Sequence, residues 1–132
     1  MQKLDVSKGD LSPSMKKAGL KAFFNIVEQW GLKPQESVIL LGHIGRSTYF
    51  QWKKGNIGDV RYDTMIRVSY ILGIYKSLQI LLSEKTSADS WIQKPNKAFG
   101  GQSALERMLG GSVTDLAYVR EYLDSVRGGG WS

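Results

Sequence analysis

The chain reads as an all-α protein, and three observations carry that reading. Apolar residues recur at spacings of three and four over most of the chain, as in a helix with one inward face. Small polar residues and prolines stand where such helices start, and glycines where they stop. No stretch shows the two-residue apolar/polar alternation of a strand. With 132 residues and 42% hydrophobic content, the chain can build a real core, in one domain or in two small ones packed together.

Residues 1–11 are polar and are expected to fray. Ser12-Pro13 then supplies an N-cap and a first-position proline, opening a helix to about Trp30. Met15, Ala18, Phe23, Ile26, Val27 and Trp30 form its inward face, and Gly31 ends it. Pro34 opens a second helix carrying Val38, Ile39 and Leu41, with Gly42 as its stop. After His43 and Ile44 the chain restarts as a helix over residues 45–54 and stops at Gly55. Residues 56–60 are loop. Residues 61–72 are helical, with Met65, Ile66, Val68, Ile71 and Leu72 available for the core. Gly73 breaks or bends that helix, which continues over residues 74–82 with Leu78, Leu81 and Leu82.

The remainder is punctuated more densely. Residues 85–93 form a short helix capped by Thr86 or Ser87. Pro95, Asn96 and a Gly-Gly pair make residues 94–101 a loop. Residues 103–109 form another short helix, stopped by Gly110-Gly111. Ser112 followed by Asp115 resembles a capping box. It opens a helix to about Val126 whose seam is Leu116, Val119, Leu123 and Val126. Arg127, three glycines, Trp131 and Ser132 follow.

Residues 34–55, PQESVILLGHIGRSTYFQWKKG, fit a helix-turn-helix, whose second helix enters the DNA major groove with its first turn near base edges. Arg46, Ser47 and Thr48 occupy that first turn, and Gln51 lies one turn later. Arg can grip guanine O6/N7 with two hydrogen bonds and Gln can do the same to adenine. Ser47 and Thr48 reach bases or phosphates, while Lys53 and Lys54 at the far end suit phosphate. Tyr49 and Trp52, three apart, face the core; Phe50 is either buried or sits at a partner or DNA surface. The net charge of +6 supports the same reading. Residues 1–76 hold twelve Lys/Arg against six Asp/Glu, and residues 77–132 hold six against six. The whole surplus therefore lies in the half with the motif, where basic charge attracts phosphate.

Other function classes find little support. The chain has no cysteine, which removes disulfides and thiol chemistry. Its single histidine, His43, has no second histidine with which to share a metal, and reads as a turn residue or a surface contact. No Ser-His-Asp arrangement or phosphate-binding glycine loop is present. Glu106 and Asp115 read as solvated helix surface. No apolar run approaches the roughly 20 residues of a membrane span, and no signal peptide precedes the first helix, so a cytoplasmic protein that is not an enzyme is expected.

Over nearly all of its length the chain resembles the Xre/MbcA/ParS antitoxin family. LLGHIGRSTYFQWKKG and RYDTMIRVSYILGIYKSL carry the resemblance in the first half, SWIQKPNKAFGGQSALERMLGG and DLAYVREYLDSVRGG in the second. Trp91, Pro95-Asn96, Phe99-Gly100, Leu105, Gly110 and the closing VREYL helix are specific in combination. One departure is Ala104 after Ser103, where the family often has proline; it touches a helix start only. The resemblance implies a type II antitoxin with a DNA-binding domain over residues 1–76 and a toxin-binding domain over residues 77–132. The first would bind operator DNA and repress the operon. The second would bind a RES-domain toxin, an enzyme that depletes NAD⁺, and cover its active-site entrance. NAD⁺ then belongs to the partner, and the antitoxin needs no cofactor.

For toxin contact the last helix offers Tyr118, Arg120, Glu121 and Tyr122 beyond its seam, and the tail adds Arg127 and Trp131. Tyr, Trp and Arg are the residues most enriched at interface hot spots; Trp131 could equally pack back on its own domain. A homodimer is expected, because paired helix-turn-helix units read two half-sites about 34 Å apart. Two alternatives remain: a stand-alone repressor whose second half only dimerises, and a protein-interaction module that has lost DNA binding.

Overall fold

The computed structural model describes residues 11–128, and among these it is built from helices and turns. The Ser12 hydroxyl accepts from the Met15 N–H at 3.3 Å and Pro13 takes the first position, so α1 (Pro13–Gln29) starts where the local chemistry directs. Gly31, at φ 69°, ends it. Leu20, Phe23, Ile26, Val27 and Trp30 form its buried face. Ala18 does not belong to that face: it is exposed, and Leu20 is fully buried instead. Leu11 is buried too rather than frayed; residues 1–10 lie outside the described residues.

Helix α2 (Pro34–Leu40) starts with Pro34, and the Glu36 carboxylate accepts from the Lys33 N–H at 2.8 Å. Leu40 and Leu41 at its end are fully buried. A turn through Gly42 and His43 leads to α3 (Arg46–Lys53), which ends at Gly55 with φ 97°.

Helix α4 (Tyr62–Leu81) is unbroken through Gly73, so the expected interruption there does not occur. It is the spine of the molecule, packing against α1 on one side and α7 on another. Thr64, Met65, Arg67, Val68, Ile71, Leu72, Ile74, Ser77 and Leu78 are all buried along it. The expected boundary between residues 76 and 77 falls inside this helix, so the two halves share one element and one apolar cluster.

Helix α5 (Lys85–Ser90) is preceded by Glu84 at the cap position with no side-chain cap bond, rather than by Thr86 or Ser87. It gives way to a 3-10 turn at Trp91–Gln93. The expected loop contains a second 3-10 turn, Lys97–Phe99, started by the Asn96 side chain accepting from the Ala98 N–H at 2.9 Å. Ser103 caps α6 (Ala104–Met108), exchanging bonds of 3.0 Å with Glu106 in both directions. Ser112 and Asp115 form the expected start of α7 (Val113–Arg127), with Asp115 accepting from the Ser112 N–H at 3.2 Å. Both carboxylates thus serve helix starts. Leu116, Val119 and Leu123 bury the inner face of α7 against α4 and α6, and Val126 is half-buried.

Candidate functional site

Helix α3 is fixed by two aromatic side chains three residues apart. Tyr49 and Trp52 are 2% and 7% exposed, and Phe24 of α1 meets the Tyr49 ring edge-on at 5.3 Å between centroids. With that face buried, Arg46, Ser47, Thr48, Gln51, Lys53 and Lys54 are all exposed. The six residues singled out for DNA therefore share the outward surface of one short helix and its end. Phe50 lies on this surface as well, at 37% exposure, with the Arg46 guanidinium 5.5 Å from its ring centroid. The contact limits how far Arg46 swings, since a guanidinium is attracted to an aromatic face. Gln51 Oε1 accepts from Asn56 Nδ2 at 3.0 Å, which restrains a second base-reading candidate.

The turn before α3 is braced from below. Gly42 and His43 both take positive φ, 96° and 61°, a conformation that glycine adopts freely and other residues seldom do. Beneath Gly42 lies the buried Arg67 of α4, paired with Asp63 at 3.1 Å. His43 reaches the other half of the chain: its Nε2 is 2.9 Å from where a Cβ on Gly111 would stand. Among the described residues no group of three His, Cys, Asp or Glu is placed to hold a metal.

In the C-terminal half an aromatic cluster joins α7 to the turns before α6. Tyr122 stacks on Trp91 (6.3 Å, 14° between planes) and meets Phe99 edge-on at 5.3 Å. Tyr118 is 41% exposed. Its hydroxyl donates to the Ala98 carbonyl at 3.2 Å, and the Arg107 guanidinium lies 4.0 Å from its ring centroid. Arg107 is itself held by Asp115 at 2.9 Å. Elsewhere in this half, the bond from Lys85 to Asp89 (2.8 Å) raises the pKa of the exposed lysine.

Residues 77–129 match the family described as Antitoxin Xre/MbcA/ParS C-terminal toxin-binding domain. Over 112 residues the chain is also 49% identical to "Uncharacterized protein y4oB" of Sinorhizobium fredii (strain NBRC 101917 / NGR234), an overlap of 85% of this chain and 86% of that protein. The chain belongs to the Xre/MbcA/ParS antitoxin family. It is an antitoxin of a toxin–antitoxin system, and its partner is a toxin.

The matched region spans the end of α4 and all of α5, α6 and α7. Within it the residues expected at the toxin surface divide. Tyr118 and Glu121 face solvent. Arg120 instead lies across Gly73 and pairs with Asp124 at 3.1 Å, and Tyr122 is half-buried among Trp91 and Phe99. Arg127 is exposed but donates to the Ser77 hydroxyl at 3.2 Å. Trp131 lies outside the described residues. Arg107 carries little signal in the sequence: it is a basic residue in the last turn of α6, and nothing local ties it to Tyr118 eleven residues on. In the antitoxin's other half, all six DNA candidates come together. No helix among the described residues is long and apolar enough to cross a membrane.

Proposed function

We propose that the antitoxin uses α2 and α3 as a helix-turn-helix that reads its own operator, and covers the active-site entrance of a RES-domain toxin with its C-terminal half. The observation that carries the first part is the division of α3. Tyr49 and Trp52 anchor it, while Arg46, Ser47, Thr48, Gln51, Lys53 and Lys54 remain outside. Arg46 would read guanine and Gln51 adenine, Ser47 and Thr48 would contact bases or phosphates, and Lys53 and Lys54 would hold phosphates. A homodimer would present two such helices to a two-fold operator.

The toxin's NAD⁺ chemistry stays in the toxin, and the antitoxin acts by occupying space, with no cofactor of its own. Tyr118 and Glu121 lead the contact surface, Arg120 and Tyr122 support it from behind, and Arg127 and Trp131 extend it. The family assignment favours this reading over a repressor whose second half only dimerises.

Co-expression with the product of a neighbouring RES-type reading frame tests the toxin half: the two proteins should co-purify and the cells should recover. Binding of upstream DNA across a salt series tests the other half. A phosphate-contacting protein loses affinity steeply with salt, and a flat response would remove the DNA reading.

A further inference from the structure

The surface beside α3 holds a second basic element that the motif does not include. Lys17, Lys21, Phe24, Asn25 and Glu28 follow one another on a single face of α1. Together with Trp52, Lys53, Lys54, Gly55 and Ile57 they line an open groove of about 490 Å³. Phe24 packs on Tyr49, so this face of α1 adjoins α3. Four lysines stand around the groove against one glutamate, and all four are exposed. No carboxylate among the described residues lies within ion-pair distance of any of them. Neighbouring Lys16 shows the contrast: its ammonium donates to the Val60 carbonyl at 3.1 Å and stands 4.0 Å from Asp59, so its charge is already engaged.

We infer that this groove is a phosphate-backbone site, and that Lys17 and Lys21 of α1 hold the DNA strand that passes the C-terminal end of α3. The inference rests on the DNA reading of α3 and enlarges its footprint. Lys53 and Lys54 belong to both surfaces, so a duplex lying on α3 continues without a gap onto α1. Lys17 and Lys21 are four residues apart, about 6 Å along the helix, and present two charges in a row. Lysine is a point charge with no bidentate geometry. The site therefore adds affinity and register and is indifferent to base identity.

The experiment measures binding of the full chain to duplex DNA from immediately upstream of its gene, and to a scrambled duplex of equal length, over a salt series. The proteins compared are wild type, Lys17→Gln/Lys21→Gln and Arg46→Ala. Each phosphate contact contributes about 0.9 to the slope of log K against log salt. The double variant should therefore lose about 1.8 from that slope, on both duplexes, with the ratio between them unchanged. Arg46→Ala should reduce the ratio instead. An unaltered slope in the double variant, beside a reduced ratio in Arg46→Ala, overturns the α1 site and leaves the α3 reading intact. No salt-dependent binding by wild type overturns both. Loss of toxin co-purification by the double variant with its DNA slope unchanged also overturns the inference, because the groove would then belong to a protein partner. Both lysines are exposed, and an unchanged melting temperature will show that the variant is folded.

Discussion

The guanidinium of Arg120 on α7 occupies the space that a Cβ at Gly73 on α4 would need. The glycine admits an arginine side chain between two helices that carry much of the core, and Asp124 fixes that side chain from its own helix. Gly73→Ala should therefore have opposing consequences. Alanine gains about 0.5–1 kcal/mol of helix stability over glycine, while Arg120 is pushed out of place. Because the displaced atoms are the far end of a flexible side chain, the net change in wild type should be small. In an Arg120→Ala background the same substitution should stabilise by the full amount. Urea denaturation of the four proteins in the cycle measures the difference; identical effects in both backgrounds would show that the two residues do not interact.

The same pair marks where local sequence ceases to inform. Helix starts at Ser12-Pro13, Ser112 and Asp115 are written in adjacent residues, because capping is a contact across three positions. Tyr49 and Trp52 are legible for a similar reason, as neighbours on one helix face. Gly73 reads as a break because glycine weakens an isolated helix, and only the packing of α7 across it reverses that preference. Nothing local in the sequence marks Arg67 as buried, yet it lies buried under Gly42, paired with the half-exposed Asp63. Arg120 and Tyr122 read as outward because α7 has its apolar seam elsewhere. Their partners, Gly73 and the Trp91–Phe99 pair, stand more than twenty residues away. The DNA candidates sit on a helix whose buried face is local, so they are placed together; the expected toxin surface depends on distant partners and is divided.

Gly42→Ala should be more damaging than Gly31→Ala. Both glycines have positive φ, so an alanine at either is strained, a cost on the order of 1–3 kcal/mol. A Cβ at Gly31 meets nothing within 4 Å, whereas at Gly42 it comes within 3.1 Å of Arg67 Nε and 3.3 Å of Asp63 Oδ2. The added cost at Gly42 is the disturbance of the buried Arg67 side chain and its bond to the half-exposed Asp63, which together brace the turn into α3. Thermal melts should rank the two variants in that order. Equal losses would mean that Arg67 yields without penalty.

Arg46→Ala and Gln51→Ala should separate binding from folding. Both side chains are exposed, so stability should remain within about 0.5 kcal/mol of wild type. Operator affinity should fall by about 1–3 kcal/mol for each, with relaxed preference at one base pair. Asn56→Ala should produce a milder version of the Gln51 effect, since it frees the Gln51 amide without removing it. Fluorescence anisotropy with singly altered operators reads all three. An affinity unchanged by both Arg46→Ala and Gln51→Ala would take α3 out of the major groove.

Tyr118 offers the sharpest test of the toxin surface, because its ring and its hydroxyl have different partners. The ring supports Arg107 and is the large exposed aromatic of α7, while the hydroxyl reaches only the Ala98 carbonyl. Exposed tyrosines backed by a packed cluster are favourable anchors, and truncating a hot spot costs 2 kcal/mol or more, about thirtyfold in affinity. Tyr118→Ala should therefore weaken the toxin complex by at least that factor, while Tyr118→Phe keeps the ring over which Arg107 lies and should bind nearly as wild type. Both variants should retain DNA affinity, since the change lies in the matched toxin-binding region and not on α3. Calorimetric titration with the toxin distinguishes them. If Tyr118→Phe is as weak as Tyr118→Ala, the hydroxyl bond to the loop rather than the aromatic face sustains the complex, and the contact surface must be sought around Ala98.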